Sequence, residues 1–180
     1  MSRSLILVSV TMAAVAFTAT LGAQKTTRLG VGGGGSPHDR TEWTIDGAKL
    51  SIEYGRPYLK GRSESQMMPP DQVWRTGADE QTTLKADKSL KFGTLTVPAG
   101  TYGLFTVPGP TEWQLVVSKR SSGSGIPYPS DQDLGRVPMK VGKTQAPVEQ
   151  LTISIDDTPA GGTLRIEWGT TSASVPFTAG

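Results

Sequence analysis

Short runs in which apolar and polar residues alternate constrain this chain more than any other feature. In residues 48–54 every second residue is apolar, so that Ile52 and Tyr54 alternate with Lys49 and Glu53. Successive side chains of a β-strand point to opposite faces of a sheet. The pattern therefore predicts a strand that buries Ile52 and Tyr54 and turns Lys49 and Glu53 towards water.

Similar runs recur along the chain, with turn-forming residues between them. Asp46-Gly47 joins the first run to residues 43–45, and this dipeptide favours the type I′ turn of a tight hairpin. Only residues 71–75 fit a helical turn. About nine or ten short strands predict an all-β fold, an antiparallel β-sandwich that is jelly-roll-like or immunoglobulin-like. The further runs are residues 82–86, 89–95, 101–107, 112–119, 136–141, 150–155, 163–168 and 172–177.

The start of the chain has the layout of a secretory signal peptide. Arg3 lies in a short positive region, residues 5–17 are largely apolar, and small residues lead to Ala23. The apolar stretch is short for a membrane span, which needs about 20 residues. We therefore expect residues 1–23 to be removed by cleavage after Ala23. The mature protein is then periplasmic or secreted, with no membrane span after signal removal.

The segment after the signal peptide is polar and then rich in glycine. Residues 30–35 match the G-x-G-x-x-G dinucleotide fingerprint literally, but Ser36-Pro37 follow where the fingerprint requires a helix. A run of glycines without that context is typical of a flexible linker. The sequence thus predicts a linker over residues 24–35 and a single β-sandwich domain over residues 36–178.

Composition excludes several kinds of site. The chain has no cysteine and one histidine, so disulfides, thiolate nucleophiles, iron–sulfur clusters and zinc sites built from Cys and His are ruled out. We expect no cofactor and no metal. The formal net charge is +2, with 18 basic and 16 acidic residues, whereas nucleic-acid binders usually carry a clustered basic face. We therefore expect no nucleic-acid partner.

Two charged stretches, residues 56–62 and 73–80, interrupt the strand pattern. An arginine can hold a carboxylate or phosphate through two parallel hydrogen bonds, and a tryptophan can stack on a sugar ring or a guanidinium. The alternative is structural: Arg75 pairs with Asp79 or Glu80, and Trp74 fills the core. The candidate ligand-binding residues are His38, Arg56, Lys60, Arg62, Trp74, Arg75, Asp79 and Glu80.

The sequence does not support a specific catalytic residue. His38 is the one imidazole, and the G-x-S-x-G turn of serine hydrolases is absent. The leading interpretation is an exported, non-enzymatic binding or structural module at the cell envelope, whose partner is a small polar ligand, a glycan or an envelope protein. The alternative is a hydrolase-like enzyme that uses the Arg/Asp/Glu loop cluster, with His38 recruited.

Several motifs resemble a known family. The chain is similar, over residues 36–177, to the secreted bacterial proteins catalogued as domain of unknown function 2911. That resemblance implies an exported all-β domain and supplies no activity. The family usually has Asn where this chain has Asp79. The resembling motifs are Ser36-Pro37-His38, Tyr54-Gly55-Arg56-Pro57, Lys60-Gly61-Arg62, Val73-Trp74-Arg75-Thr76-Gly77-Ala78 and Ala99-Gly100-Thr101-Tyr102.

Overall fold

A computed structural model describes residues 24–180, so the predicted signal peptide lies outside the described residues. Ten strands pair in one antiparallel sheet, which confirms the all-β prediction. The strands are β1 (Lys25–Val31), β2 (Pro37–Ile45), β3 (Ala48–Gly55), β4 (Thr82–Ala86), β5 (Leu90–Phe92), β6 (Leu95–Val97), β7 (Gly100–Val107), β8 (Glu112–Ser118), β9 (Asp133–Thr158) and β10 (Gly161–Ala179). Among the described residues, no helix is long and apolar enough to cross a membrane.

The strand order requires the sheet to curl. The order is β1-β2-β3-β4-β7-β8-β9-β10-β5-β6, so the short β5–β6 hairpin pairs with β10 rather than with β4. Only residues 87–89 link β4 to β5, and such a link spans roughly 11 Å. β4 must therefore lie close to the far edge of the same sheet. Division into the two separate sheets of a sandwich stays a prediction, because pairing joins all ten strands.

Contacts between β3 and β9 show how the curled sheet closes. These strands are four places apart in the sheet, yet the Ile153 amide donates to the Tyr54 hydroxyl at 2.8 Å. Just beyond β3, the Leu151 amide donates to the Pro57 carbonyl at 2.9 Å. The space enclosed between these strands holds one core cluster, which includes Trp43, Ile52, Leu84, Leu104, Leu115, Ile153, Ile166 and Trp168.

The β2–β3 hairpin follows the sequence pattern closely. Asp46 and Gly47 have φ values of 48° and 73°, the positive values that a type I′ turn needs at both central positions. Ile52 is 0% exposed and Tyr54 is 4% exposed, whereas Lys49 is exposed. The predicted inward face of β3 is thereby confirmed.

Two segments differ from their sequence-based predictions. Residues 25–31, assigned to a flexible linker, form β1 and pair with β2. Their side chains are all exposed, so no buried-face pattern identifies them. The helical turn expected at residues 71–75 lies instead at α1 (Glu64–Met67). There Ser63 and Gln66 form a capping box, which satisfies amides at the helix start.

Candidate functional site

The glycine-rich segment is the loop of the β1–β2 hairpin. The Gly32 amide donates to the Ser36 carbonyl at 2.9 Å, and the Gly35 amide donates to the Gly32 carbonyl at 2.9 Å. Gly35 has φ of 80°, a conformation that glycine adopts without steric penalty. The loop, residues 32–36, is called the glycine turn below. Its backbone hydrogen bonds give it a defined shape, which a free linker does not have.

The glycine turn lies against Asp79, which in turn binds His38. The Asp79 carboxylate accepts a hydrogen bond from His38 Nε2 at 3.1 Å and another from the Gly34 amide at 2.9 Å. The His38 and Asp79 side chains are 19% and 22% exposed. The hydrogen bond from His38 has the largest effect and holds the pKa of the Asp79 carboxyl below its ordinary value, and the Gly34 amide adds to it. Asp79 is therefore a carboxylate at neutral pH.

Glycines surround this His–Asp pair because a larger residue would collide with it. A Cβ atom built on Gly32 would lie 2.6 Å from His38 Nε2, and one built on Gly55 would lie 2.9 Å from the same atom. A Cβ atom on Gly34 would lie 2.8 Å from Asp79 Oδ1. Real Cβ atoms essentially never come so near. The close packing around His38 and Asp79 thus requires residues without a Cβ atom at these three glycine positions.

The segment that carries Asp79 has an unusual backbone. Thr76 and Asp79 have φ values of 58° and 64°, both in the left-handed region. A β-branched residue such as Thr76 rarely adopts this conformation. Thr76 is 1% exposed, and its hydroxyl lies 3.1 Å from the Thr106 hydroxyl and 3.2 Å from the Trp74 carbonyl. The Thr82 hydroxyl donates to the Thr76 carbonyl at 2.8 Å. These bonds hold a strained backbone, of the kind that clusters at functional sites.

An open cleft lies between the glycine turn and the segment after Ala78. It has a volume of about 380 Å³, and it is called the turn cleft below. His38, Asp79 and Glu80 are the three predicted site residues that line it. The whole lining consists of residues 29–33, His38, residues 53–55, residues 79–81 and Thr83.

A second, smaller cleft of about 290 Å³ adjoins the turn cleft. The two clefts share a wall made of Glu53, Glu80, Gln81 and Thr83. The far side of the smaller cleft is formed by hydroxyl-bearing residues and Lys85. Together the two clefts form a polar surface that reaches from the glycine turn across β3 and β4.

Arg56 does not point into the turn cleft; it binds a buried carboxylate. Its NH1 atom donates to Asp39 at 2.8 Å, its Nε to the Leu151 carbonyl at 3.1 Å, and its NH2 to the Thr152 hydroxyl at 3.1 Å. Asp39 is 2% exposed and also accepts from Arg28 of β1. Burial by itself raises the pKa of Asp39, but the bonds from Arg56 and Arg28 outweigh it and hold the pKa below the ordinary value. Arg56 therefore has a structural role, as the charged partner of the buried Asp39.

Lys60 and Arg62 lie in an exposed loop outside the turn cleft. The Lys60 amide donates to Glu149 at 2.7 Å. Arg62 binds backbone carbonyls of its own loop, those of Leu59 at 3.0 Å and Tyr58 at 2.7 Å. These two candidate residues are therefore not among those that line the turn cleft with Asp79 and Glu80.

Trp74 and Arg75 have structural contacts. The Trp74 ring stacks on Trp168 at a centroid distance of 5.9 Å and meets Trp113 edge-on at 6.3 Å. Arg75 was expected to pair with a carboxylate, but its NH1 atom donates to the backbone carbonyls of Asp79 at 2.7 Å and Ser124 at 3.2 Å. The expected ion pair is therefore wrong. Arg75 instead fixes the backbone of Asp79, whose left-handed φ aims the carboxylate at His38.

Sequence reasoning missed most of the cleft wall. Gln81, Thr83 and Glu53 come from strand or strand-edge positions that carry no motif. The glycine turn had a signal, namely its run of small residues, but that run is equally typical of a linker. Within residues 24–180, no group of three or more His, Asp or Glu side chains could share a metal ion.

Comparison with known proteins places the domain in a family. The model of a family described as a protein of unknown function (DUF2911) matches residues 36–177, which are most of the chain. The matched region begins at the end of the glycine turn and contains His38 and Asp79. Searches of curated proteins and of solved structures found no match. The chain belongs to the DUF2911 family, whose function is unknown.

Proposed function

We propose that this protein is an exported, non-enzymatic binding module of the cell envelope, and that the turn cleft binds its small polar or glycan ligand. One observation carries the proposal: His38, Asp79 and Glu80 meet in a single open cleft of about 380 Å³. A cleft with a few converging polar groups is the usual form of a ligand site.

The rigidity of the wall supports binding. Asp79 is held by His38 and the Gly34 amide, and its backbone is held by Arg75. A wall fixed before the ligand arrives lowers the conformational entropy that binding costs. Such a site can bind a small ligand with few contacts.

The hydroxyl groups of the cleft favour binding over nucleophilic catalysis. Tyr54 is 4% exposed, and its hydroxyl accepts from the Ile153 amide at 2.8 Å. Thr83 donates to the Ser121 carbonyl at 3.4 Å. A hydrolase that forms a covalent intermediate needs a side-chain nucleophile within hydrogen-bond reach of its base. Both hydroxyls of the described wall are engaged elsewhere.

A second candidate is a hydrolase-like enzyme, and one observation favours it. The His38–Asp79 hydrogen bond of 3.1 Å is the arrangement in which a carboxylate orients an imidazole for acid–base work. That enzyme would use His38 to activate water. Hydrolysis of ester, phosphate or glycoside substrates that His38→Gln abolishes while folding is retained would establish it, and would contradict the binding module.

The binding proposal is tested by blocking the cleft. A thermal-shift screen of the purified chain against sugars, amines and small anions identifies ligands by the rise in melting temperature. Thr83→Trp fills the cleft wall, and Thr96→Trp on the exposed face of β6 is the matched control. We expect ligands that bind the control variant and not Thr83→Trp. Equal binding by both variants, or no ligand in the screen, contradicts the proposal.

A further inference from the structure

We propose that the turn cleft selects ligands that carry a protonated amine on a short apolar stem. This inference rests on the proposed function, because it names the ligand class of the same cleft. The wall contains the carboxylates of Glu53, Asp79 and Glu80 and, among the described residues, no lysine or arginine. The field inside the cleft therefore favours a cation.

The three carboxylates are not equivalent. Asp79 binds His38 and Gly34, and Glu53 accepts from Arg40 Nε at 2.6 Å. Glu80 is exposed, and it has no salt bridge within residues 24–180. Glu80 is thus the carboxylate with room for a new ionic partner. Since it also belongs to the wall shared with the smaller cleft, it lies at the centre of the polar surface.

Gln81 supplies an independent sign of a missing hydrogen-bond donor. It lines the turn cleft, is 4% exposed, and donates from Nε2 to the Arg120 carbonyl at 2.7 Å. Because that partner is an acceptor, the other amide atom is the oxygen, and this buried Oε1 has no hydrogen-bond partner in the described chain. A buried acceptor without a donor destabilises the structure, because it has lost its hydrogen bonds to water. A ligand ammonium in the turn cleft would supply the missing donor through a bridging water molecule.

The mouth of the cleft provides the apolar contact. Leu29 is 46% exposed and Val31 is 69% exposed, and both line the turn cleft. The structure exposes two further large hydrophobic residues among those it describes, Tyr58 and Ile126, and neither of them lines this cleft. Exposed apolar side chains beside a polar cleft mark a contact surface. Methylene groups of the ligand would cover Leu29 and Val31 while the ammonium reaches Glu80.

Lys85 limits where the charge can lie. It lines the smaller cleft and not the turn cleft. A cation in the smaller cleft would be repelled by Lys85, so the ammonium belongs on the turn-cleft side of Glu80. An alkylamine with a single charged group fits this arrangement better than a diamine, whose second ammonium group would lie near Lys85.

The experiment compares n-butylamine with n-butanol, which differ in the charged group, by isothermal titration calorimetry on the purified chain. We expect butylamine to bind more tightly than butanol. Glu80→Gln should weaken butylamine binding roughly twofold to fivefold, the effect of one lost exposed ion pair. Glu112→Gln, at an exposed position on β8 outside both clefts, should leave binding unchanged.

The outcomes separate this inference from the proposed function. Equal binding of butanol and butylamine, or unchanged butylamine binding by Glu80→Gln, overturns the amine inference. If sugars bind and Thr83→Trp abolishes their binding while butylamine does not bind, the cleft is a ligand site and the amine inference alone is wrong. If no compound in the screen binds at the cleft, both proposals are wrong.

Discussion

His38 Nε2 lies 3.1 Å from Asp79 Oδ2, although the two residues are 41 positions apart in the chain. This hydrogen bond joins β2 to the segment before β4 and defines one wall of the turn cleft. The Gly34 amide of the glycine turn donates to the same carboxylate, and the Arg75 guanidinium donates to the backbone carbonyl of Asp79.

Gly32 and Gly33 form a matched pair of substitutions in the glycine turn. Gly32→Ala places a Cβ atom 2.6 Å from His38 Nε2, whereas a Cβ atom on Gly33 has nothing within 4 Å. We expect Gly32→Ala to lower the free energy of unfolding by about 1–3 kcal/mol, the usual range for overpacking. Gly33→Ala should change it by less than about 0.5 kcal/mol. Urea denaturation measures both, and equal values would mean that the turn does not pack against the His–Asp pair.

Asp39 is the buried centre of an ion-pair cluster with Arg28 and Arg56. Asp39→Ala leaves Arg56 without its charged partner, and we expect a loss of about 3–5 kcal/mol in the free energy of unfolding. Arg28→Ala should cost less, because the Arg28 side chain is 54% exposed and water can replace much of its contact. Chemical denaturation ranks the two variants. A larger loss from Arg28→Ala would contradict the assignment of Asp39 as a buried charge bound by Arg56.

Acid should lower the free energy of unfolding, because it protonates the Asp79 and Asp39 carboxylates. Both carboxyls have pKa values below the ordinary value in the folded protein. Their contribution to stability is therefore fully present above the unfolded pKa of about 3.9 and is lost as pH falls through the folded pKa. The free energy of unfolding should be nearly constant from pH 7 to 5 and fall below about pH 4.

The same pH series on a variant of Asp79 shows how much of the acid sensitivity comes from this carboxylate. Asp79→Asn keeps a side chain that tolerates the left-handed backbone but cannot ionise. Its acid dependence should be shallower than that of the unchanged protein. An identical slope would show that the Asp79 carboxylate does not contribute to acid sensitivity.

Export is tested by the intact mass of the protein recovered from the envelope or medium of its native host. We expect residues 1–23 to be absent and the mature chain to begin at Gln24, since the Arg3, apolar and Ala23 pattern is that of a signal peptide. A mass that includes Met1 to Ala23 would contradict the cleavage.

The sequence predicted those parts of the fold in which local pattern decides the structure. The alternation of apolar and polar residues predicted that Ile52 and Tyr54 of β3 are buried, and they are. Asp46-Gly47 predicted a hairpin turn, and both residues have the positive φ values that this turn needs. Local pattern could not find β1, because its residues are all exposed and its pairing comes from β2.

Part of the lining of the turn cleft was predicted from residue type. His38, Asp79 and Glu80 were singled out by residue type, and they do meet in the cleft. Residue type alone could not distinguish them from Arg56. Arg56 instead pairs with the buried Asp39, which the sequence did not single out. Nor could residue type show that Arg75 bonds to backbone oxygens. Such choices depend on contacts between distant residues, which a linear reading does not contain.

His38, the one histidine of the chain, allows the most direct test of the central claim that the turn cleft is the ligand site. Its imidazole gives a single set of ring signals in a heteronuclear NMR spectrum. A ligand that raises the melting temperature should shift these signals on titration, and Thr83→Trp should abolish both effects. A ligand that stabilises the protein while the His38 signals stay unmoved would contradict the claim, because binding would then occur elsewhere.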